Sequence, residues 1–410
     1  MNSRAICVCL VIVSTTIGIV PVSHGQVIPE YFGLHIHNAD SGTRWPNVPF
    51  GSWRLWDAHV SWRDIQPARE KWDFTRLDRY LTMAKIAGVE VLLPLGLTPQ
   101  WASSRPSEKS SYAPGNAAMP ASLNDWTSFV QAVAHRYKGR IAAYEIWNEP
   151  NAAGFFSGSI DNIVALSCAA YRVIKQQDPD ARVVSPAATY QAKGIAWFDQ
   201  FLAAGGKSCF DIVGFHFYTL AHESPEELLP LVDQMRAVMK KHSITGRPIW
   251  NTESGWYIKN SKTPVGVPYR KLDQDVAAAY VGRALLLGRS SGIERFYWYA
   301  WDDGKLGLLD MDSGELKPAA HAFGQVARWM TGAKSLRCEH FEDSLMICSL
   351  VRANRIDWVL WRVKGQASFN IPEQWHVTAS ESLLDGSSTP LSKPTMAIGE
   401  MPILLTSVLH

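Results

Sequence analysis

Tyr144-Glu145-Ile146-Trp147-Asn148-Glu149-Pro150-Asn151 ends an apolar run, begun at Ile141, with an amide, a carboxylate and a proline. The run is short, apolar on both faces and cut off by Pro150, which is how a parallel β-strand covered on both sides reads. A second run of the same kind, Ile249-Trp250-Asn251-Thr252-Glu253-Ser254-Gly255-Trp256, delivers Glu253 at its end. Two such strands, each finishing on a glutamate, set the frame for the rest of the chain.

Outward from these two runs the pattern repeats. Apolar stretches at residues 31–37, 52–57, 89–97 and 141–148 predict strands one to four, and those at 181–187, 211–218, 248–253 and 295–301 predict strands five to eight. Amphipathic helical patterns lie between them at 73–87, 122–137, 162–177, 224–242, 273–288 and 318–330. The first stops at Gly88, and the second opens with a Ser122-x-x-Asp125 capping box. Strands alternating with helices predict an α/β fold, a (β/α)8 TIM barrel, over residues 26–332. An open doubly wound sheet is the competing topology, but the chain has no Gly-x-Gly-x-x-Gly and no phosphate loop. The tail, 333–410, changes to short alternating runs such as Trp358-Val359-Leu360-Trp361-Arg362-Val363 with turn residues between, which predicts a small all-β domain.

Residues 1–25 are a different object. Arg4 gives a positive start, an apolar stretch follows from Ala5 to Val22, and Ser23-His24-Gly25 supplies small residues at the two recognition positions. This predicts a secretory signal peptide cut near Gly25/Gln26, and a secreted or periplasmic protein. A retained anchor is the alternative, weakened by an apolar core that is short for a span. Removing the leader removes Arg4 and no acid, so the formal charge falls from +2 to +1. A near-neutral chain argues against nucleic acid or an anionic membrane as the main partner. Cys7 and Cys9 leave with the leader, and Cys168, Cys209, Cys338 and Cys348 remain. Cys338 with Cys348, on neighbouring strand-like runs, and Cys168 with Cys209 by default are the expected bridges, with buried free thiols as the alternative.

In a barrel the working groups sit where strands end, at the C-terminal face. Strands four and seven lie across the mouth from each other, so Glu149 and Glu253 are expected to face each other about 5 Å apart, the separation of a retaining glycosidase. Glu149, in an apolar setting beside Trp147 and Pro150, suits a proton donor with a raised pKa. Glu253 suits a nucleophile, which needs hydrogen-bond donors to stay ionised; Arg54 and Tyr218 are the candidates. Asn148 is a candidate for holding the sugar hydroxyl beside the reacting centre. His216 shares a strand face with Tyr218, and Glu145 is read as an interior carboxylate paired with a cation, Arg54 being the candidate. Seventeen tryptophans suit a substrate with flat apolar faces. Trp101 in the loop after strand three, Trp256 after strand seven and Trp301 at the end of strand eight are candidate platforms, and His37 a candidate contact to a hydroxyl.

Glu145-x-Trp147-Asn148-Glu149-Pro150-Asn151 and Asn251-Thr252-Glu253-Ser254-Gly255 resemble the catalytic strands of clan A glycoside hydrolases, most closely family 39 and its bacterial exopolysaccharide-cleaving relatives. His216-x-Tyr218 and the Tyr-Trp-Tyr-Ala-Trp run at 297–301 support the resemblance. It implies a retaining mechanism with Glu149 as acid/base and Glu253 as nucleophile, and no metal or organic cofactor. It also implies an arginine at strand two, a tyrosine by the nucleophile and a tryptophan beside the reacting sugar; Arg54, Tyr218 and Trp301 match by position, with Trp298 as the alternative to Trp301. The expected partner is an oligo- or polysaccharide. A leader, a long loop after strand three, several tryptophans expected to be exposed and the absence of an obvious clamp for anionic sugars point to endo-action on a polysaccharide. An exo-acting β-glycosidase such as a β-xylosidase, and a non-catalytic sugar-binding barrel, are the alternatives.

Overall fold

In the computed structural model residues 25–220 and 222–408 are described. The expected leader, Gly25 apart, lies outside them. Eight parallel strands form one sheet: β1 (Phe32–His35), β2 (Ser52–Arg54), β3 (Glu90–Leu95), β4 (Ala143–Ile146), β5 (Arg182–Val184), β6 (Val213–Phe215), β7 (Ile249–Ser254) and β8 (Ile293–Trp298). The strands run in the order β5-β4-β3-β2-β1-β8-β7-β6, and parallel bridges Val184–Ile212 and Ala188–Phe215 close β5 onto β6. The result is the expected barrel. Every strand falls within or beside its predicted run.

The helices are α1 (Trp62–Ile65), α2 (Thr75–Ala87), α3 (Leu123–Arg136), α4 (Ile160–Gln177), α5 (Gln191–Ala203), α6 (Leu228–Lys241), α7 (Gln274–Ser290) and α8 (Pro318–Met330). Gly88 ends α2 in the left-handed conformation, φ 66°, where a residue without Cβ costs least. Ser122 caps α3 through the amide of Asn124, but Asp125 closes no box; it turns away to Arg69 at 2.8 Å. Helix α5 has no counterpart in the periodicity reading. Its cap, Tyr190, makes no side-chain capping bond, and Gly194 sits in its first turn, so the start carries no sequence signature.

The barrel's lower interior is filled by Leu92, Ala143, Val184, Ile212, Trp250 and Tyr297. Tyr297 fits because Gly33 faces it: a Cβ there would come within 2.4 Å of the ring. Above this apolar layer lies a polar one, containing the fully buried Arg54, Glu145 and His35, and above that the mouth.

After α8 come β9 (Ser335–His340), β10 (Leu345–Val351), β11 (Ile356–Arg362), β12 (Ala367–Asn370), β13 (Val377–Ser382), β14 (Ser388–Pro390), β15 (Thr395–Ile398) and β16 (Ile403–Ser407). They form an antiparallel six-stranded sheet, β14-β13-β16-β11-β10-β9, and a β12-β15 pair. One buried apolar cluster runs unbroken from the barrel helices into Leu336, Met346, Leu350, Val359, Trp361 and Leu404 of this sheet. Glu226 joins the two parts through Arg283 Nε and Trp361 Nε1, both at 2.9 Å. Cys338 and Cys348 stand directly opposite each other on β9 and β10 and are bonded, as are Cys168 and Cys209. Among the described residues no helix is long and apolar enough to cross a membrane.

Candidate active site

Glu149 and Glu253 meet at the barrel mouth. One oxygen of each lies within 4.8 Å of the other, and His216 Nδ1 lies within the same distance of both. That spacing leaves no room for a water between the carboxyl groups and is the retaining geometry. The end of β4 is bent to achieve it. Trp147 and Glu149 both have positive φ, 69° and 46°, a strained conformation for residues with a Cβ. Packing holds it in place. Trp147 is fully buried against Trp126 and Phe156 and donates to Phe155 O at 2.9 Å, while Glu149 N donates to Ala187 O at 2.9 Å.

Arg54, fully buried, organises the layer beneath. Its Nε donates to Glu145 Oε2 at 2.6 Å, Nη1 to Glu253 Oε2 at 2.9 Å and Nη2 to Asn148 Oδ1 at 2.7 Å. Nη1 also lies 2.9 Å from His35 Nε2. A guanidinium can only donate, so Nε2 accepts and the His35 proton sits on Nδ1, directed at Trp298 O at 3.0 Å. Burial, with Arg54 adjacent, holds the His35 pKa well below its usual value, which keeps the ring neutral as this bond requires. The other Glu253 oxygen, Oε1, accepts from Tyr218 Oη at 3.0 Å.

The two carboxyl groups differ in environment. Burial raises the Glu149 pKa to about 7, partly opposed by a hydrogen bond from Thr189 and by the charge of Arg54. Burial also raises Glu253, but His216 and Arg54 pull back, leaving it at about 6. His216 is itself pushed by burial to about 4 and is neutral at physiological pH, so Arg54 is the cation that keeps Glu253 ionised there. Between these two values Glu149 carries a proton while Glu253 does not, which is the division of labour that acid-assisted nucleophilic displacement requires. His216 Nδ1 bonds Glu149 Oε1 at 2.8 Å and stands 3.8 Å from Glu253 Oε1, between the pair.

Glu149, His216 and Glu253 also have the spacing of a metal-ligand trio. The chemistry opposes a cation there. Both Glu253 oxygens already accept hydrogen bonds, and a buried guanidinium sits 2.9 Å from one of them.

Of the sequence candidates, Glu149, Glu253, Asn148, Arg54, His216 and Tyr218 converge on this site. The aromatic candidates do not. Trp301 is fully buried with its indole donating to Arg44 O at 2.7 Å, so it presents no face to a substrate. Trp298, its alternative, is buried against Trp256. Trp256, 5% exposed, is packed between Trp298 and Tyr280. Trp101 donates to Gln66 O at 2.8 Å, with Arg69 4.8 Å above its ring, partners that lie outside the carboxylate site. His37 is buried at the rim, its ring 5.0 Å from that of Tyr299 and its Nδ1 3.7 Å from Asp302.

The aromatic group that strand eight delivers to the site is Tyr299. Its hydroxyl donates to Asp57 Oδ2 at 2.8 Å, and its ring lies 5.0 Å from those of His35 and His37. Asp57 also accepts from Tyr112 Oη at 2.6 Å, which ties together the loops after β2, β3 and β8. Sequence reasoning missed His35, Asp57, Tyr112 and Tyr299. Strand parity carried a signal for two of them. Tyr297 points into the barrel, so Tyr299 shares its side and Trp298 does not, and His35 shares the side of Gly33 and His37. Asp57 and Tyr112 lie in loops, where no periodicity applies.

A closed parallel barrel whose mouth holds two facing carboxyls, one suited to carry a proton and one held by a guanidinium and a phenol, has the layout of a retaining glycoside hydrolase. The chain belongs to glycosyl hydrolases family 39, whose family profile matches residues 48–293. It is 24% identical over 331 residues to a β-xylosidase of Geobacillus stearothermophilus, covering 71% of this chain and 62% of that protein. A shorter match of 153 residues, 25% identical, covers 35% of the chain and 31% of a β-xylosidase of Caldicellulosiruptor saccharolyticus. The chain thus spans less than two thirds of the length of either relative. Among solved structures, a family 39 glycoside hydrolase from Bacteroides cellulosilyticus superposes with a TM-score of 0.71 at 18% identity, over 93% of this chain and 81% of that one. A monomeric β-xylosidase from Caulobacter crescentus superposes with a TM-score of 0.66 at 18% identity, over 93% and 97%. At these identities the structures speak for the shared fold.

Proposed function

We propose that this glycosidase cleaves a β-linked neutral pyranoside from a chain end by double displacement, with Glu149 as acid/base and Glu253 as nucleophile. The observation that carries the roles is the pairing of carboxyl oxygens within 4.8 Å of each other with different surroundings for the two groups. In the first step a Glu253 oxygen bonds to the anomeric carbon, the bond to the leaving oxygen breaks, and the Glu149 proton passes to that oxygen. In the second step Glu149 takes a proton from water, the water oxygen bonds to the anomeric carbon, and the ester to Glu253 breaks. Two inversions give net retention. Asn148, oriented by Arg54 at 2.7 Å, is positioned to donate its side-chain amide to the neighbouring sugar hydroxyl.

A neutral sugar is supported by the state of Arg54. It spends N–H groups on Glu145, Glu253, Asn148 and His35 and is not free to clamp a substrate carboxylate. Exo-action is supported by the Asp57–Tyr112–Tyr299 tie, which joins the loops after β2, β3 and β8 along one part of the mouth, and by the β-xylosidase names of the two sequence relatives. This departs from the endo-action expected from the long loop after strand three: Tyr112, carried by that loop, bonds Asp57 of the neighbouring loop after β2. Two disulfides support export to an oxidising compartment, in keeping with the expected leader.

The test is product release by the mature protein from a panel of aryl glycosides, oligosaccharides and plant and bacterial polysaccharides, with Glu253→Gln as the blank. Monosaccharide release from chain ends, absent in the variant, is expected. Mixed oligosaccharides from a polymer would replace exo- by endo-action. Silence of the wild type on every substrate, or equal activity in the variant, would overturn the reading.

A further inference from the structure

Near Glu149 stands a tyrosine whose side chain makes no hydrogen bond among the described residues. Tyr190, at the head of α5, is 53% exposed and holds a left-handed φ of 70°. A single exposed aromatic ring is ordinary. This one is held in place from three directions. Asn151, two residues beyond Glu149, exchanges a pair of hydrogen bonds with Thr189: Nδ2 donates to Thr189 O at 2.8 Å and Oδ1 accepts from Thr189 N at 3.0 Å. Gln191, also left-handed with φ 47°, donates from Nε2 to Tyr218 O at 2.8 Å. Gly194 lets the turn fold back on itself, since a Cβ there would lie 2.0 Å from Thr189 O. The backbone that carries the ring is therefore fixed at the rim between the end of β4 and the loop that carries Tyr218. Two consecutive residues in a sparsely populated conformation, kept there by surrounding bonds, mark a place where position matters more than local stability.

An aromatic pair, half-buried Tyr257 and exposed Tyr269, faces the same rim from the loop after β7. Tyr257 and Tyr269 stack at 5.7 Å with their planes 9° apart, and Tyr269 is 57% exposed. The base of that loop is pinned by Leu272 N to Tyr257 O at 2.8 Å. Tyr190 lies within electrostatic range of both Glu149 and Tyr269, whereas Tyr112 and Tyr299 lie within range of Glu253. Tyr112 and Tyr299 meet at Asp57 beyond β2, whereas Tyr190 is carried between the ends of β4 and β6, so the two sets of rings occupy different parts of the rim. In a displacement of this kind the nucleophile approaches the glycone and the acid faces the leaving oxygen, so the side of Glu149 away from Glu253 belongs to the leaving group.

We propose that Tyr190, with Tyr269 and Tyr257 beside it, is the platform for the leaving group, and that the leaving group it selects is a pyranose ring stacked by its apolar face. The inference rests on the glycosidase reading above. It implies that the natural substrate is an oligosaccharide or polysaccharide rather than a glycoside of a small alcohol. It also implies that a second sugar bound there can intercept the glycosyl-enzyme in place of water.

The experiment compares wild type, Tyr190→Ala, Tyr190→Phe and Tyr269→Ala on β-xylosyl fluoride, whose leaving group has no ring, and on xylotriose. Fluorides and trisaccharides of the other sugars in the panel follow in the same way. The expected result is that Tyr190→Ala lowers kcat/KM on the trisaccharide about tenfold more than on the fluoride. Tyr269→Ala gives a smaller effect in the same direction, and Tyr190→Phe, which keeps the ring, restores the wild-type ratio. An equal loss on both probes, or no change in the ratio, would overturn the platform while leaving the glycosidase reading intact. Failure of the wild type to turn over any fluoride or trisaccharide would overturn both.

Discussion

Replacing the Glu149 carboxyl by an amide should favour the folded protein more at high pH than at low. Glu149 is buried, its side chain 12% exposed, and its pKa stands at about 7 against an ordinary value of 4.5. The folded protein therefore holds this proton more tightly than the unfolded chain does. Below pH 4.5 both states are protonated and nothing is lost. As pH rises from 4.5 to 7 the unfolded state ionises first, and stability falls until both are ionised. Integrating the linkage between pH 5 and pH 8 gives a loss of about 2.5 kcal/mol from this one group. Glu149→Gln removes the titration and keeps the shape. Any cost of the amide itself is independent of pH and cancels in the difference. For a chain of this length, unfolding entropy near 2.1 cal/mol/K per residue makes 2.5 kcal/mol worth about 3 °C in Tm. The assay is thermal unfolding of wild type and variant at both pH values, by circular dichroism or calorimetry. The Tm of Glu149→Gln relative to wild type should be about 3 °C higher at pH 8 than at pH 5. A difference that does not change with pH, or that falls, would refute the claim that burial has raised this carboxyl.

Four other outcomes are expected. The rate profile kcat/KM against pH should be a narrow bell, rising as the pair loses its first proton near 6 and falling as it loses the second near 7, with its maximum between; a plateau extending above pH 8 would contradict it. Glu149→Ala should cost about 10²- to 10⁴-fold in kcat/KM on substrates with poor leaving groups and little in kcat/KM on dinitrophenyl glycosides, whose kcat falls because the second step has lost its base. Azide should restore turnover in that variant as a glycosyl azide of retained configuration, and equal losses for all leaving groups would remove the acid role. Arg54→Met leaves Glu145 buried without its cation and should destabilise the fold by about 3–5 kcal/mol in denaturant unfolding, whereas the double variant with Glu145→Gln should recover part of the loss. Removing the Cys168–Cys209 bridge by serine substitution should lower stability by about 2–4 kcal/mol with kcat unchanged, because the bridge closes a long loop remote from the mouth; a large loss of kcat would show that it positions the site.

The barrel was legible because its strands are buried on both faces and so appear as unbroken apolar runs, and because turn residues such as Gly88 and Pro150 mark their limits. Helix α5 escaped because its start carries no cap residue and its first turn carries a glycine. The polar half of the site was legible for a related reason. Glu149, Glu253, Arg54, His216 and Tyr218 lie at or just beyond strand ends, where barrel geometry forces convergence however far apart the residues are in sequence. The aromatic half was misread because tryptophan does two jobs. Trp256, Trp298 and Trp301 stack behind the strands as core, while tyrosines, which pair a flat ring with a hydroxyl, occupy the mouth. Parity along β8 distinguishes Tyr299 from Trp298, but residue type alone does not. Loop-borne partners such as Asp57 and Tyr112 are set by tertiary contacts that no period encodes.

The central claim is that Glu253 forms a covalent bond to the sugar. It is tested by incubating the enzyme with a 2-deoxy-2-fluoro-β-glycoside of a sugar it turns over, carrying a good leaving group, then digesting it and locating the added mass. The account predicts time-dependent inactivation and a single fluoroglycosyl group on Glu253. A label on Glu149 or another side chain, or first-formed product of inverted configuration from the parent substrate, would contradict it.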